Sequence, residues 1–244
     1  MSFSWTRVRA ITVKELRDYR RNRFVIGTMT VLPLLFIILP MIQLFNANAK
    51  TDTTNLNLHI GLSLLYMLVI PAFLPSSLSA YSIVGEREQG TLEPVLITPI
   101  RREEFLIGKA LAAFAPTIVI AYIVFGIFLA AAALFAHPAI TTAIYARTHV
   151  LVQLLFTPLL AGWAIWVGIA VSARSADVRV AQQLGVLGTV PLLAILALIS
   201  LNVITVSTAL AVGLAAALLA IDLLAWRAVA AVFDRERLIT GTRT

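Results

Sequence analysis

The chain alternates between long apolar runs and short polar breaks. A run of roughly 20 apolar residues, rising 1.5 Å each as a helix, covers the ~30 Å hydrocarbon core of a bilayer. Six such runs stand out: Phe24 to Phe45, His59 to Val84, Phe105 to Phe135, Val150 to Val171, Leu184 to Ser200 and Val203 to Trp226. The first four have clear polar boundaries. The last two are separated by little more than Leu201 and Asn202, so a single kinked helix with a re-entrant stretch competes with two spans there. The pattern predicts an all-α polytopic membrane protein, one transmembrane domain over residues 1–244. A helix over 1–23 precedes the spans, a loop over 85–104 joins the second to the third, and a tail over 227–244 follows the sixth.

Composition supports the same class. Hydrophobic residues make up 60% of the 244, charged residues 13%, and mean hydropathy is +0.93. Soluble domains lie nearer half apolar and a quarter charged. One core of this size cannot hide the excess, so lipid must cover part of it. The absence of cysteine excludes a disulfide framework and a thiolate metal site.

The formal charge of +7 raises the question of nucleic acid. The basic residues, however, flank apolar runs and do not form a stripe interleaved with aromatics. Anionic lipid at a cytoplasmic membrane face accounts for them. Their distribution fixes an expected orientation. Seven Lys and Arg precede the first run, four (Arg87, Arg101, Arg102 and Lys109) lie in the second loop and the first turns of the third run, two in the fourth loop and four after the sixth run. The first and third loops hold one each, Lys50 and Arg147, and the fifth none. Positive charge stays inside, which places both termini in the cytoplasm and requires an even number of spans. The order of basic stretch, apolar run and Ala47-Asn48-Ala49 resembles a signal peptide, but the basic region is too long and the run of about 22 residues exceeds an h-region. The segment is expected to be retained.

On a helical wheel, Trp5, Val8, Ile11, Leu16 and Tyr19 share one arc, and Arg7, Lys14, Arg17, Asp18 and Arg21 the other, with Glu15 intruding. Such a helix is expected to lie in the headgroup plane, apolar face in the acyl boundary and cations on phosphates. A solvated tail is the plainer alternative; the aromatic residues favour the interface.

The second loop, from Tyr81 to Arg101, carries definite local chemistry. Gly90 can end the helix leaving the second span. Thr91 is a good N-cap, Glu93 suits the positive end of the following turn, and Pro94 is tolerated where amides lack internal partners. Leu92, Val95 and Leu96 share a face. Thr98-Pro99 reads as cap and first residue of the next helix. The expectation is a short helix across the cytoplasmic mouth, beside the charges Glu86, Arg87, Glu88 and Glu93. A capped loop helix with solvated charges has the same periodicity.

This loop, with Glu103-Glu104-Phe105-Leu106-Ile107-Gly108-Lys109, resembles the corresponding loop of ABC-2-type transporter permeases: an acidic-basic-acidic triplet, Gly-Thr-Leu-Glu, an apolar pair, a proline, and Gly-Lys entering the third span. Lys14 to Arg21 is similar to that family's amphipathic elbow helix, and Arg174 to Gln183 to its polar loop before span five. The resemblance covers the chain end to end. It implies the permease subunit of an ATP-binding-cassette exporter in the cell membrane, expected in a prokaryote. Two such permeases, identical or homologous, form the pathway, and two separate cytoplasmic ATPase subunits bind ATP and Mg. Glu86, Arg87, Glu88, Gly90, Thr91, Leu92 and Glu93 would then form the element that docks on the ATPase. The short connection between the last two spans leaves little room for the large re-entrant helices of relatives that move glycans or lipids.

No Gly-x-x-x-x-Gly-Lys-Ser/Thr phosphate loop, His-Glu-x-x-His helix or Gly-x-Ser-x-Gly turn occurs, so the chain is not expected to be an enzyme by itself or to hold a cofactor or metal. His59, His137 and His149 sit near predicted outer ends. The alternative function is a stand-alone channel or ion-coupled carrier, which needs buried ionisable groups. Asp222 is the one candidate, read as an interfacial carboxylate near Trp226 and Arg227. Gln43, Gln153, Thr157, Ser200 and Asn202 are the polar residues inside runs. Gln153 and Thr157, with Gly162 and Gly168 on a small-residue surface, are the candidate pathway or interface residues. Pro116, Pro158 and Pro191 are expected to kink their helices.

Overall fold

A computed structural model describes residues 3–47, 53–88, 90, 100–201 and 207–232. Among them every regular element is a helix: α1 (Trp5–Arg21), α2 (Arg23–Ala47), α3 (Thr53–Glu88), α4 (Arg102–Phe135), α5 (Pro138–Ile144), α6 (Arg147–Ser172), α7 (Val178–Leu187), α8 (Val190–Ser200) and α9 (Thr208–Val232). Six stretches are long and apolar enough to cross a membrane, α7 and α8 together making the fifth. The first four predicted spans fall inside α2, α3, α4 and α6.

Three differences from the sequence reading have physical causes. The third-span helix begins at Arg102, not at Pro99, because Glu104 bonds back to the Arg101 amide at 3.0 Å and Arg101 becomes the cap. The fifth span starts at Val178, six residues before the expected Leu184, because Asp177 caps it by accepting from the Arg179 and Val180 amides at 2.6 and 3.2 Å. That span is also broken at Gly188-Thr189, where the Trp163 indole donates to the Gly188 carbonyl at 3.0 Å and Pro191 opens α8. The competing single kinked helix fails, since α9 is a separate apolar helix of spanning length. The short α5, begun by Pro138, was not anticipated.

α3 is the central post. Of its most apolar stretch 61% is buried, against 17% for α2 and 22% for α9. The outer helices turn large apolar side chains such as Val31, Leu35, Leu134 and Leu224 outward, as a lipid-facing surface requires. α3 packs chiefly on α6 and α2. Small residues let the backbones close. A Cβ on Gly168 of α6 would stand 2.1 Å from Ser79 Oγ and 3.0 Å from the Ser76 carbonyl. At the far end, a Cβ on Gly61 would stand 1.9 Å from the Ser200 carbonyl of α8. Close backbone approach of this kind replaces the hydrophobic drive that lipid cannot supply.

A hydroxyl stitches the other end. Ser172 Oγ of α6 accepts from the Ile83 and Val84 amides of α3, at 3.3 and 3.2 Å, and donates to the Ala80 carbonyl. Arg87 then crosses to the C-terminus of α6, donating to the Ser175 carbonyl at 3.0 Å, where a cation suits the negative end of the helix.

Gly168→Val is expected to lower the unfolding midpoint in detergent, with an overpacking cost of about 1–3 kcal/mol. Gly126→Val, whose Cβ meets nothing within 4 Å, should leave it within error. Equal midpoints for the two variants would refute the close-packing account.

Candidate functional site

At the end of the bundle that carries α1, the expected surface helix proves to be part of the core. Its buried face is Val8, Ile11, Glu15 and Tyr19, and the helix packs chiefly on α4. Val8, Ile11 and Tyr19 of the apolar arc therefore meet protein, and Trp5, expected on the same arc, is 66% exposed with its ring edge-to-face on Phe3. Leu16 is half-buried, and Arg17 and Arg21 are exposed. Glu15, the apparent intruder, faces inward.

The reason lies on α4. Lys109 is 1% exposed, and its ammonium has no access to water. It donates to Glu15 at 2.9 Å and to the Ser82 carbonyl at 2.6 Å, stands 3.0 Å from Glu86 Oε2, and lies 4.9 Å over the Phe105 ring. Lys14 closes the cluster from outside, bonding Glu86 and approaching Glu15 at 3.2 Å and Asp18 at 3.3 Å. Two carboxylates from α1 and α3 thus share two ammonium groups, one buried and one half-exposed. Burial alone would raise the Glu15 carboxyl, but Lys109 and then Lys14 hold it below the usual carboxylate range. Burial opposes the Lys14 charge, and Glu15 followed by Glu86 outweigh it, so its ammonium is held above the usual range. Burial, reinforced by the Glu15 and Glu86 charges, pushes the Tyr19 phenol up.

Residue 108 must be glycine for this to assemble. A Cβ there would stand 2.7 Å from Ile11 Cγ2 and 3.2 Å from the Val8 carbonyl. The Gly108 carbonyl instead accepts from Thr12 at 3.1 Å. A second clamp holds the start of α1. Glu104, 0% exposed, accepts from the Ser4 amide at 2.7 Å and from Arg7 Nε and Nη2 at 2.8 and 2.7 Å.

Glu86 and Arg87 are thereby wired in opposite directions, Glu86 to α1 and α4, Arg87 to α6. Glu88 ends α3 and is exposed. Gly90 is exposed, at φ +67°, with its amide on the Arg87 carbonyl at 3.1 Å, the left-handed turn that its expected helix-ending role demands. Thr91, Leu92 and Glu93 lie outside the described residues.

The other candidates are not part of this site. Gln153 is 2% exposed and borders a cavity of about 240 Å³ with His149 and Ser200, toward the opposite end of the bundle. Thr157 donates to the Gln153 carbonyl at 2.7 Å within its own helix. Gly168 is the α3 contact already described. Gly162 faces Asp222 of α9, whose Oδ2 would stand 2.9 Å from a Cβ there. Asp222 is not the expected interfacial residue. It is 8% exposed, its Oδ1 has no hydrogen-bond partner, and among the described residues it has no ion pair with Arg227. Two residues central to the site, Glu15 and Lys109, were visible in the sequence as opposite charges on apolar helix faces, but the wheel of one helix could not show that they meet.

The family model described as an ABC-2 family transporter protein matches residues 9–234, nearly the whole chain, Lys14, Glu15, Glu86 and Lys109 included. The chain belongs to the ABC-2 transporter family. No curated protein matches it. As a member of that family it is a membrane transport subunit that is not itself catalytic, and its six spanning helices accord with a permease.

Lys109→Met should be strongly destabilising, by about 3–5 kcal/mol, because it strands two buried carboxylates. Lys109→Arg should recover part of the midpoint. The pH response has a definite sign. Because the folded Glu15 carboxyl is depressed, its contribution is complete above the usual carboxylate range and is lost as pH falls below it. Melting in detergent should decline below about pH 4, and Glu15→Gln should flatten that decline. An undiminished decline in Glu15→Gln would assign it elsewhere.

Proposed function

We propose that this permease is the membrane subunit of an ATP-driven exporter, with the α1 end and both termini in the cytoplasm of a prokaryotic cell. The excess of Lys and Arg at that end supports the orientation. Two copies, or this chain and a homologue, form the pathway, and two separate ATPase subunits supply ATP-driven closure. The observation that carries the reading is the double anchoring of Glu86 and Arg87 immediately before the Gly90 turn. A push on residues 91–98 from an ATPase would pass through that turn into α3. From α3 it would reach α1 and α4 through the ion cluster and α6 through Arg87. Exposed Glu88, with Gly90, Thr91, Leu92 and Glu93, forms the docking surface in this reading, and the anchored pair Glu86 and Arg87 transmits.

ATP binding can shift access only through the difference in docking affinity between the two states. A few kcal/mol of that difference is enough to invert a population. Glu88→Gln and Glu93→Gln are expected to lower substrate-stimulated ATPase activity of the co-purified complex while leaving insertion and melting intact. Glu86→Gln should lower both coupling and melting. Wild-type stimulation in all three would remove this loop from coupling.

One observation favours a second reading, an ion-coupled carrier: the buried carboxylate of Asp222 within the sixth span. Transport in vesicles that lack nucleotide, abolished by Asp222→Asn, would establish it and displace the first.

A further inference from the structure

The end of the bundle that carries the ion cluster also holds two openings that meet at one residue. The first is a cavity of about 630 Å³ between the last turns of α1, the start of α2 and the end of α3. Tyr19, Arg21, Asn22 and Arg23 border it above a floor that includes the Glu15 and Glu86 carboxylates. The second is a groove of about 560 Å³ along α2, bordered by Arg23, Gly27, Val31, Leu35 and Phe36. Arg23 belongs to both. A charged chamber and an apolar groove that share one arginine have the division of a glycerophospholipid, polar head and hydrocarbon chain.

The charges in the chamber are unequally committed. Glu15 and Glu86 are held by Lys109 and Lys14, and Asp18 by Lys14 at 3.3 Å. Arg21 and Arg23 are exposed, and among the described residues neither has an ion pair. Asn22 Oδ1 accepts from the Phe24 and Val25 amides at 2.9 and 3.4 Å, so the start of α2 is capped by its own chain. An anion must therefore be held by side chains. A third donor is available: Tyr19 is 3% exposed, borders the chamber, and its Oη has no hydrogen-bond partner. An unpaired buried donor is unfavourable, and a phosphate oxygen would satisfy it.

The groove shows matching economy. α2 is among the least buried spans, and a Cβ on Gly27 would meet nothing within 4 Å. The protein's own packing does not require glycine there. What the missing side chain does is leave the groove open beside Arg23.

We infer that the chamber and groove together bind one phospholipid, its phosphate on Arg21, Arg23 and Tyr19 Oη and one acyl chain along α2. Only the naming of the leaflet as cytoplasmic rests on the proposed orientation. Basic pockets between membrane helices recognise anionic headgroups by the same chemistry. The bound lipid would brace the joint between α1 and α2 next to the ion cluster.

The test needs no ATPase, so its failure is separate from failure of the coupling reading. The full chain is equilibrated with phosphatidylglycerol vesicles, extracted in mild detergent, and its retained lipid counted by native mass spectrometry. One lipid per chain is expected. Arg21→Gln/Arg23→Gln should weaken retention roughly tenfold or more, from the loss of two cations near the phosphate. Gly27→Leu should weaken it with the melting midpoint unchanged, and Arg9→Gln/Arg20→Gln, which removes equal charge outside the chamber, should retain the lipid. Loss in the Arg9/Arg20 variant equal to that in the Arg21/Arg23 variant would reduce the effect to general surface charge and overturn the site. Full retention in the Arg21/Arg23 variant overturns it as well. Displacement by inorganic phosphate, with Gly27→Leu behaving as wild type, would leave a phosphate site and overturn the lipid.

Discussion

The ammonium group of Lys109 is sealed from water, and a charge in that position persists only with partners already in place. Those partners come from two other helices, Glu15 of α1 and Glu86 of α3, with the Ser82 carbonyl accepting a further hydrogen bond. Three elements far apart in sequence must therefore arrive together. None can withdraw alone without stranding a charge. This explains why α1 is docked into the bundle although its composition is that of a surface helix, and why α4 is glycine at the crossing point, where Ile11 and the Val8 carbonyl lie against Gly108.

The remaining contacts at that end extend the same constraint. Glu104 fastens the first residues of α1 to the start of α4, and Arg87 and Ser172 fasten α3 to α6. The connections differ in chemistry according to their surroundings. At the contact of α3 with α6, approach is achieved by glycine and serine with no charge involved, as at Gly168 against Ser76 and Ser79. Where helices touch near the polar end, carboxylates and cations take over. Apolar packing in lipid is tolerant of sliding, whereas a buried ion pair has one geometry. The charged end is thus the part of the bundle in which register is most strictly set.

Much of this architecture was legible in the sequence because hydrophobic run length is a direct reading of bilayer thickness. Spans one to four, the helix over α1 and the Gly90 turn follow from single-segment patterns. The failures share a cause. The wheel sets Glu15 on the right face without its partners and Trp5 on the wrong one, because it orders one helix and knows nothing of what that helix meets. Asp222 looks interfacial in the sequence because its distance from Trp226 is measured along the chain, whereas in the fold it lies against Gly162 of another helix. The early start of α7 hinged on Asp177, a polar residue whose capping bonds override the polar look of its segment. The family resemblance marked Gly108 and Lys109 as a motif without giving their purpose. Contact with α1 supplies it.

The break at Gly188 and Thr189 has a mechanical corollary. Beyond it α8 runs eleven residues, a rod about 16 Å long at ~1.5 Å per residue. Its pivot is pinned by the Trp163 indole and its tip is seated in the notch at Gly61. A tilt of about 20° would carry the tip roughly 6 Å by the same rise, well clear of that notch. The second half of the fifth span is consequently fastened at both of its ends, and it cannot lean away from the bundle without giving up the close seat of Ser200 on Gly61.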